Sequence, residues 1–282
     1  MTAVLVGVIG GGRMGAGIAQ VFTGIGAEVV VVESDESTAA AALERVGTGL
    51  ERAAERGKLT GTAQAALARV RTVTDVAELP AGADLVVEAV PESVELKIQV
   101  LTAAERVLSP DTVLASNTSS LSITELGSVL DRPERFLGMH FFNPVPVSKL
   151  VELVVGPQTA ELTRDRALGW VSQLGKSEVL VRDSPGFATS RLGVMLGLEA
   201  IRMLEEGVAD AESIDRAMEL GYGHPMGPLR STDLVGLDVR LAIAEYLQRT
   251  LGERFAPPAL LRDTVARGDL GRKTGRGFHD WN

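Results

Sequence analysis

Two ionisable residues stand in neighbouring apolar segments of this sequence. His140, one of only three histidines, lies in the run GMHFF, and Glu152 follows twelve residues later in LVELVV. Burying either group alone costs free energy, so a chain that places both in apolar surroundings has reason to pair them. A neutral imidazole accepts a proton at pH 7, and a carboxylate can fix its tautomer and stabilise the imidazolium. The pair is therefore a candidate general base with its partner, or else a structural surface pair.

A hydroxyl-rich segment, ASNTSSLSIT, follows the predicted strand Thr112–Ala115. At the end of a strand in a parallel sheet, such hydroxyls lie where ligands bind and can donate to a substrate oxygen. A serine together with His140 and Glu152 is also the composition of a serine hydrolase. The G-x-S-x-G turn of the α/β-hydrolases is absent, however. A serine-directed fluorophosphonate would inactivate a hydrolase and leave a dehydrogenase unaffected.

A glycine-rich turn follows the first predicted strand. Gly10, Gly12 and Gly15 form G-x-G-x-x-G between that strand and a predicted helix, which is the context required of a dinucleotide-binding turn. The first glycine permits the tight turn, the second lets the backbone approach a pyrophosphate, and the third lets the helix pack closely. Arg13 and Met14, at the start of the helix, complete the predicted cofactor-binding turn.

Glu33 identifies the preferred nucleotide. It lies eighteen residues after Gly15, at the end of the run EVVVVE, where a carboxylate can bind both ribose hydroxyls. The same charge repels a 2′-phosphate, and the neighbouring Ser34 and Asp35 supply no cation. The sequence therefore predicts NAD rather than NADP as the cofactor.

Composition excludes several other classes of protein. The chain has 282 residues, is 45% hydrophobic and contains no cysteine, which excludes disulfides and thiolate metal sites. Its three histidines are far apart, so we predict no metal. A net charge of −9 without a basic block argues against nucleic acid. No apolar run approaches the roughly 20 residues that span a bilayer, and no signal peptide is evident, so we expect a cytoplasmic protein.

The first half of the chain alternates predicted strands and helices. The predicted strands are Val4–Ile9, Glu28–Glu33, Asp84–Val90, Thr112–Ala115, Phe136–His140, Leu150–Val155 and Ser177–Val181. The predicted helices are Arg13–Ile25, Ser37–Gly57, Glu92–Leu108 and Ala160–Gln173, with Ser37 and Ser93 near the starts of two of them. This alternation predicts an α/β fold with a Rossmann-type, doubly wound, mostly parallel sheet.

After the segment DSPGF the pattern becomes helical. The predicted helices are Leu192–Glu206, Ala211–Leu220, Leu237–Thr250 and Pro258–Arg267. We therefore predict a dinucleotide-binding domain over residues 1–184 and an all-helical C-terminal domain over residues 185–282. Within the latter, we expect Asp233 and Asp238 to be helix caps, His224 a turn residue and His279 a tail residue.

Seven motifs, taken together, resemble those of the L-3-hydroxyacyl-CoA dehydrogenases, and the short bacterial 3-hydroxybutyryl-CoA dehydrogenases are closest in length. The motifs are GVIGGGRMGAGIAQVF, VVEAVPESVELK, SNTSSLSIT, MHFFNPVPVSKLVELV, DSPGF, GYGHPMGPLRSTDLVGLDV and GRKTGRGF. They run in order along essentially the whole chain. The resemblance implies an NAD-dependent oxidation of a 3-hydroxyacyl-CoA thioester, bound between the two domains, and a homodimer formed through the second domain.

The resemblance also implies roles for individual residues. His140 matches the family's catalytic base and Glu152 its partner, and Ser119 matches the serine that contacts both the substrate's 3-oxygen and the cofactor. The further positions that match cofactor contacts of the family are Glu92, Lys97, Asn143 and Lys273.

Two departures from the family pattern concern the substrate. The usual PGFxxNRL reads PGFATSRL here, so Ser190 replaces the active-site asparagine. A hydrogen bond lost there without replacement would cost about 1–3 kcal/mol. Gly49 and Arg56 stand where relatives have serine and lysine, and we include Arg52, Arg56 and Lys58 as candidate contacts of CoA phosphates.

Two alternatives remain open at this point. The substrate's acyl group could be carried by an acyl carrier protein instead of CoA. The chain could also be a binding protein of the same fold with weakened catalysis, for which Ser190 is the supporting feature.

Overall fold

The structure, a computed structural model, describes residues 4–281 of the chain. The chain divides into two compact units, with the division between Asp183 and Ser184. Each unit has a hydrophobic core of its own. Among the described residues, none of the helices combines the length and the apolar character needed to cross a membrane.

One sheet organises the first unit. Its strands are β1 (Leu5–Ile9), β2 (Glu28–Val32), β3 (Val70–Val73), β4 (Leu85–Glu88), β5 (Val113–Ser116), β6 (Phe136–Phe141), β7 (Leu150–Val155) and β8 (Ser177–Arg182). The order across the sheet is β3-β2-β1-β4-β5-β6-β7-β8, and only β6 and β7 pair antiparallel. The strand order reverses between β1 and β4, which is where doubly wound sheets bind ligands at the carboxyl ends of their strands. The predicted fold class is confirmed.

Helices follow most of these strands. They are α1 (Arg13–Gly24), α2 (Glu36–Glu55), α3 (Ala63–Leu67), α4 (Val94–Val107), α5 (Ile123–Gly127) and α6 (Glu161–Gln173). Asp35 caps α2 in a capping box with Thr38, and Ser93 caps α4, so hydroxyl and carboxylate oxygens satisfy the first N–H groups of both helices.

Three short elements of this unit were not predicted from sequence. Helix α3 and strand β3 lie between the second and third predicted strands, and α5 follows the hydroxyl-rich segment. Strand β3 has only four residues and lies at the edge of the sheet, so Arg71 is exposed and the apolar pattern is interrupted. By contrast, every residue of β4, β5 and β6 is buried, as expected for central strands covered on both faces.

The second unit is helical apart from isolated bridges in its tail. Its helices are α7 (Thr189–Glu205), α8 (Ala211–Tyr222), α9 (Pro228–Val235), α10 (Leu237–Leu251) and α11 (Ala259–Ala266). Helix α9 was not predicted because it spans only eight residues between a proline at its first position and Gly236 at its end. Helices α7, α9, α10 and α11 contribute to one apolar core.

Asp233 is not a helix cap, contrary to the prediction. It lies in the last turn of α9. Its carboxylate accepts the backbone N–H groups of Phe278 and His279, both at 2.9 Å, and the indole N–H of Trp281 at 3.0 Å. His279 lies in the tail, as predicted, and its Nε2 is 2.7 Å from the buried Asp215 carboxylate. Two buried carboxylates therefore fix the C-terminal segment on this unit.

Candidate active site

The glycine turn after β1 has the geometry that the motif predicts. Gly10 has φ +93°, a region that L side chains rarely adopt, and a Cβ on Gly15 would lie 1.7 Å from the Gly10 carbonyl oxygen. Helix α1 therefore approaches the turn too closely for any side chain at position 15. The glycines at both ends of the motif are required by the backbone itself.

Gly12 leaves open space beside the start of α1. It is exposed and is the N-cap of α1 without a side-chain hydrogen bond, and a Cβ added to it would meet nothing within 4 Å. Arg13 and Met14 begin the helix, so their N–H groups belong to the first turn, which lacks intrahelical partners. Open space beside a helix N-terminus fits a pyrophosphate. The residues present thus suit the nucleotide that the motif predicts.

Glu33 lies directly after β2 and beside this turn. Its Oε1 accepts the Gly11 N–H at 2.6 Å, and the Arg45 guanidinium donates to the Gly11 carbonyl at 3.2 Å. One carboxylate oxygen therefore holds the turn, while Oε2 has no hydrogen bond or ion pair among residues 4–281 and is available to a ribose hydroxyl. The charge of Glu33 stays where it would repel a 2′-phosphate.

His140 and Glu152 form a buried pair. They are directly opposite each other in the antiparallel register of β6 and β7, and His140 Nδ1 lies 3.0 Å from Glu152 Oε2. Only 6% of His140 and none of Glu152 is exposed. The interpretation as a surface pair is therefore wrong, since both groups lie in the sheet. Nδ1 contacts the carboxylate, which makes Nε2 the nitrogen that can exchange a proton with a substrate.

Ser119 lies in the loop after β5 and is positioned by Glu92. The Glu92 carboxylate accepts the Ser119 N–H at 3.0 Å and its hydroxyl at 3.3 Å, and the Thr118 hydroxyl at 2.6 Å. Burial would raise the pKa of Glu92, but the charge of Lys97 and these hydrogen bonds hold it below its usual value of 4.5. An ionised Glu92 thus fixes the hydroxyl loop.

Lys97 joins Glu92 to a second acidic residue, Glu88, which was not among the site residues predicted from sequence. Lys97 Nζ lies 2.7 Å from Glu88 Oε1, 3.2 Å from Glu92 Oε2 and 3.2 Å from the Val90 carbonyl oxygen. Glu88 also accepts the Ser116 hydroxyl at 2.5 Å. Lys97 is 1% exposed and Glu88 is fully buried. We call the three residues Glu88, Lys97 and Glu92 the acidic network.

The sequence contained a signal for this network. Glu88 ends the apolar strand LVVE. A carboxylate buried in such a strand costs free energy unless a cation pairs with it. All three N–H donors of Lys97 have an acceptor in the described chain. Lys97 therefore acts on the site through Glu92, and its direct contact with the cofactor remains a prediction from the resemblance.

The loop after β6 carries Asn143 and packs against α1, the helix that follows the glycine turn. A Cβ on Gly17 of α1 would lie 2.9 Å from Val145 Cβ, so the absence of a side chain there permits the contact. The Lys176 ammonium donates to the Val145 carbonyl at 2.7 Å. Another residue missed from sequence, Asn117, accepts the Phe141 N–H at 2.8 Å and joins the ends of β5 and β6.

Two predicted site residues belong to the second unit. Ser190 lies in the first turn of α7. Lys273 contacts both Asp238 oxygens at 2.6 Å, so Asp238 pairs with this lysine in the first turn of α10. Burial would raise the pKa of Asp238, but hydrogen bonding to Lys273 and its charge lower it. The roles of Ser190 and Lys273 toward substrate and cofactor remain predictions.

The candidate CoA contacts lie on and after the end of α2. Arg52, Arg56 and Lys58 are all exposed. At Gly49 on the same helix, a Cβ would lie 2.2 Å from the Gln20 side-chain oxygen, and Gln20 Nε2 donates to the Gly49 carbonyl at 2.8 Å. Gln20 thus occupies the space that a serine side chain would need. Phosphate binding by the three basic residues remains a prediction.

Comparison with known families agrees with this geometry. Residues 5–184 match the family model described as 3-hydroxyacyl-CoA dehydrogenase, NAD binding domain. Residues 186–281 match the model described as 3-hydroxyacyl-CoA dehydrogenase, C-terminal domain. The cofactor is therefore NAD, as Glu33 predicted.

Individual relatives match over nearly the full chain. The probable 3-hydroxybutyryl-CoA dehydrogenase of Bacillus subtilis is 43% identical over 97% of this chain and 96% of its own length. The 3-hydroxybutyryl-CoA dehydrogenase of Mycobacterium tuberculosis is 44% identical over 98% of both chains. The crystal structure of (S)-3-hydroxybutyryl-CoA dehydrogenase from Ralstonia eutropha superposes with a TM-score of 0.94 at 41% identity, covering 100% of both chains. The protein described here belongs to the 3-hydroxyacyl-CoA dehydrogenase family.

Proposed function

We propose that this protein interconverts L-3-hydroxyacyl-CoA and 3-oxoacyl-CoA with NAD(H), and that short-chain 3-hydroxybutyryl-CoA is among its substrates. The observation that carries the proposal is the buried His140–Glu152 pair, 3.0 Å apart, in the unit that also holds the dinucleotide turn. The names of the relatives, 3-hydroxybutyryl-CoA dehydrogenases, support a CoA thioester with a short acyl chain as the substrate.

The reaction removes a proton and a hydride from one carbon–oxygen unit. His140 Nε2 takes the 3-hydroxyl proton, and the electrons of the O–H bond form the carbonyl π bond as the C3–H bond breaks. NAD⁺, when bound at the dinucleotide turn, would supply the acceptor for that hydride. In the reverse direction His140 returns the proton to the oxygen, so the same ring is base and acid.

Glu152 makes the proton transfer favourable. Its carboxylate fixes His140 with a proton on Nδ1 and the lone pair on Nε2, and it stabilises the imidazolium that forms. Because Glu152 is fully buried, little water screens this interaction. Ser119, held by Glu92 through its N–H and its hydroxyl, positions a hydroxyl toward the 3-oxygen, with Ser190 assisting.

The first experiment follows the NADH absorbance band with purified protein and acetoacetyl-CoA, with NADPH as the comparison. We expect rapid loss with NADH and little with NADPH. Absence of turnover with NADH on acetoacetyl-CoA, and also on the same acyl group attached to acyl carrier protein, would refute the proposal. Turnover on the carrier-protein thioester alone would support the alternative acyl carrier.

We also propose that the protein forms a homodimer through the second unit. Several large apolar side chains of this unit are exposed in the single chain, among them Leu192 at 70%, Leu220 at 76% and Tyr222 at 79%. Exposed apolar surface of this kind is typical of protein–protein interfaces. Sedimentation equilibrium should give twice the 29.7 kDa of the single chain, and a mass of one chain would contradict the dimer.

A further inference from the structure

The hydroxyl-rich segment after β5 buries some of its side chains and exposes others. Thr118 is fully buried and Ser120 is 5% exposed, whereas Ser119, between them, is only half-buried. Among residues 118–120, Ser119 therefore presents the hydroxyl that a substrate can reach. Its two neighbours point into the protein, where their hydroxyls can hold the loop in place.

The Thr118 hydroxyl lies at the centre of the hydrogen bonds of this loop. It donates to Glu92 Oε1 at 2.6 Å and accepts the N–H of Leu121 at 3.0 Å and the N–H of Ser120 at 3.3 Å. A hydroxyl has one proton and two lone pairs, so these three bonds use its full capacity. Because a threonine side chain that accepts N–H groups two and three residues later closes a turn, Thr118 folds the chain around Ser119.

Thr118 and Ser119 share one acceptor. The Ser119 N–H lies 3.0 Å from Glu92 Oε1 and the Ser119 hydroxyl 3.3 Å from it, and both distances exceed the 2.6 Å of the bond from Thr118. The other carboxylate oxygen, Oε2, lies 3.2 Å from the Lys97 ammonium. Glu92 is thus held at both oxygens, and Thr118 fixes the oxygen that Ser119 contacts.

Thr118 is itself fixed to the end of the strand before it. Its N–H donates to Ser116 Oγ at 3.3 Å, and the Ser116 hydroxyl donates to the buried Glu88 carboxylate at 2.5 Å. The hydrogen bonds therefore run without a break from β4 and β5 through Thr118 to the turn that carries Ser119.

We infer that Thr118 is a positioning residue for the reaction: its buried hydroxyl fixes the turn that presents the Ser119 hydroxyl to the substrate's 3-oxygen. The inference rests on the proposed function and adds a residue that, being fully buried, acts through Ser119 and Glu92. Without this hydroxyl, two backbone N–H groups lose their acceptor and Glu92 loses its closest hydroxyl donor, so the turn must rearrange. A displacement of about 1 Å at a reacting group can slow a reaction by about 10²-fold.

Two pairs of variants isolate the hydroxyl. Thr118→Val removes it from a side chain of the same shape, and Thr118→Ala compared with Thr118→Ser removes it after the methyl group is lost. The second pair leaves more room in the loop, so it decides the question if Thr118→Val does not fold. With acetoacetyl-CoA and NADH, we expect kcat to fall about tenfold or more on loss of the hydroxyl in either pair. Thr118→Ser should stay within about threefold of wild type.

Two further measurements distinguish positioning from a general loss of stability. In a Ser119→Ala background, Thr118→Val should lower kcat by less than about twofold, because the hydroxyl to be positioned is gone. Thr163→Val is the matched control, since Thr163 on α6 is also fully buried and its hydroxyl donates to the Glu134 carbonyl at 2.7 Å. This control should lower the melting temperature, as Thr118→Val does, and leave kcat within about twofold of wild type.

An unchanged kcat on loss of the hydroxyl would overturn the inference. So would an equal fall from Thr118→Val in the Ser119→Ala background, because Thr118 would then act by a route other than Ser119. A loss of about tenfold in Thr118→Ser would assign the effect to the methyl group, and a similar loss in Thr163→Val would assign it to stability; either contradicts a positioning role. Failure of the wild-type protein to reduce acetoacetyl-CoA would instead refute the proposed function, and the inference with it.

Discussion

Replacing Glu88 with Gln should destabilise the first unit by removing the closest counterion of a buried lysine. Lys97 is 1% exposed and lies 2.7 Å from Glu88, which is itself fully buried. Removing one partner from such a pair costs about 3–5 kcal/mol, because the remaining charge is left without compensation. Lys97 keeps Glu92 at 3.2 Å, so we expect a loss near the lower end, about 3 kcal/mol.

A second substitution separates the charge effect from lost packing. Lys97→Met alone leaves two carboxylates without their cation, whereas Glu88→Gln with Lys97→Met removes the close ion pair. The double variant should therefore lose about 2 kcal/mol less than the sum of the two single losses. Glu51→Gln, at an exposed glutamate on α2, is the matched control and should change stability by less than about 0.5 kcal/mol.

The assay is urea unfolding followed by tryptophan fluorescence. The chain has two tryptophans, and Trp170 is buried in the core of the first unit, while Trp281 lies in the tail. In a Trp281→Phe background the signal reports the first unit alone. A loss below about 1 kcal/mol for Glu88→Gln, or strictly additive losses in the double variant, would show that charge does not hold the network together.

Three further predictions concern cofactor choice, pH and stability. Glu33→Ala should lower kcat/KM for NADH and raise kcat/KM for NADPH, because the repulsive charge is gone and Arg45 lies at the same turn. The ratio of the two kcat/KM values should narrow by about tenfold. An unchanged ratio in the absorbance assay would exclude a role of Glu33 in cofactor choice. Because the pKa of Glu92 is lowered in the folded chain, its ionisation stabilises the fold above about pH 4.5 and this contribution is lost as the pH falls through the folded value. The difference in melting temperature between wild type and Lys97→Met should therefore shrink as the pH falls from 6 to 3. A constant difference would argue against this contribution of ionised Glu92 to stability. Thr232→Val should raise the free energy of unfolding by about 1 kcal/mol, since it removes a buried hydroxyl without a partner; a loss in urea unfolding would show that the hydroxyl is satisfied in the folded chain.

The sheet and the paired histidine were predictable because their signals are local or depend on one hairpin. Apolar runs between turn residues mark central strands, and two such runs joined by a short loop place His140 opposite Glu152 once they pair antiparallel. The glycine turn is likewise determined by steric limits within a few residues. These features need no knowledge of the rest of the fold.

The acidic network was not predictable from spacing alone, because it joins a strand end, a loop and a helix. Glu88, Glu92 and Lys97 lie within ten residues of one another, yet only the packing of α4 on the sheet brings the ammonium between the two carboxylates. Asp233 was misread for a similar reason. Two of its three partners are backbone N–H groups of a tail more than forty residues away, and a backbone donor leaves no trace in side-chain composition.

Turnover of acetoacetyl-CoA by His140→Gln, measured together with NADH affinity by fluorescence titration, tests directly whether His140 is the acid and base of the reaction. Glutamine keeps a polar side chain in the sheet but cannot take the proton. We expect kcat to fall at least about 10²-fold while NADH affinity stays within about threefold of wild type. A variant that keeps more than about a tenth of wild-type turnover while binding NADH normally would show that His140 is not the acid and base of this reaction.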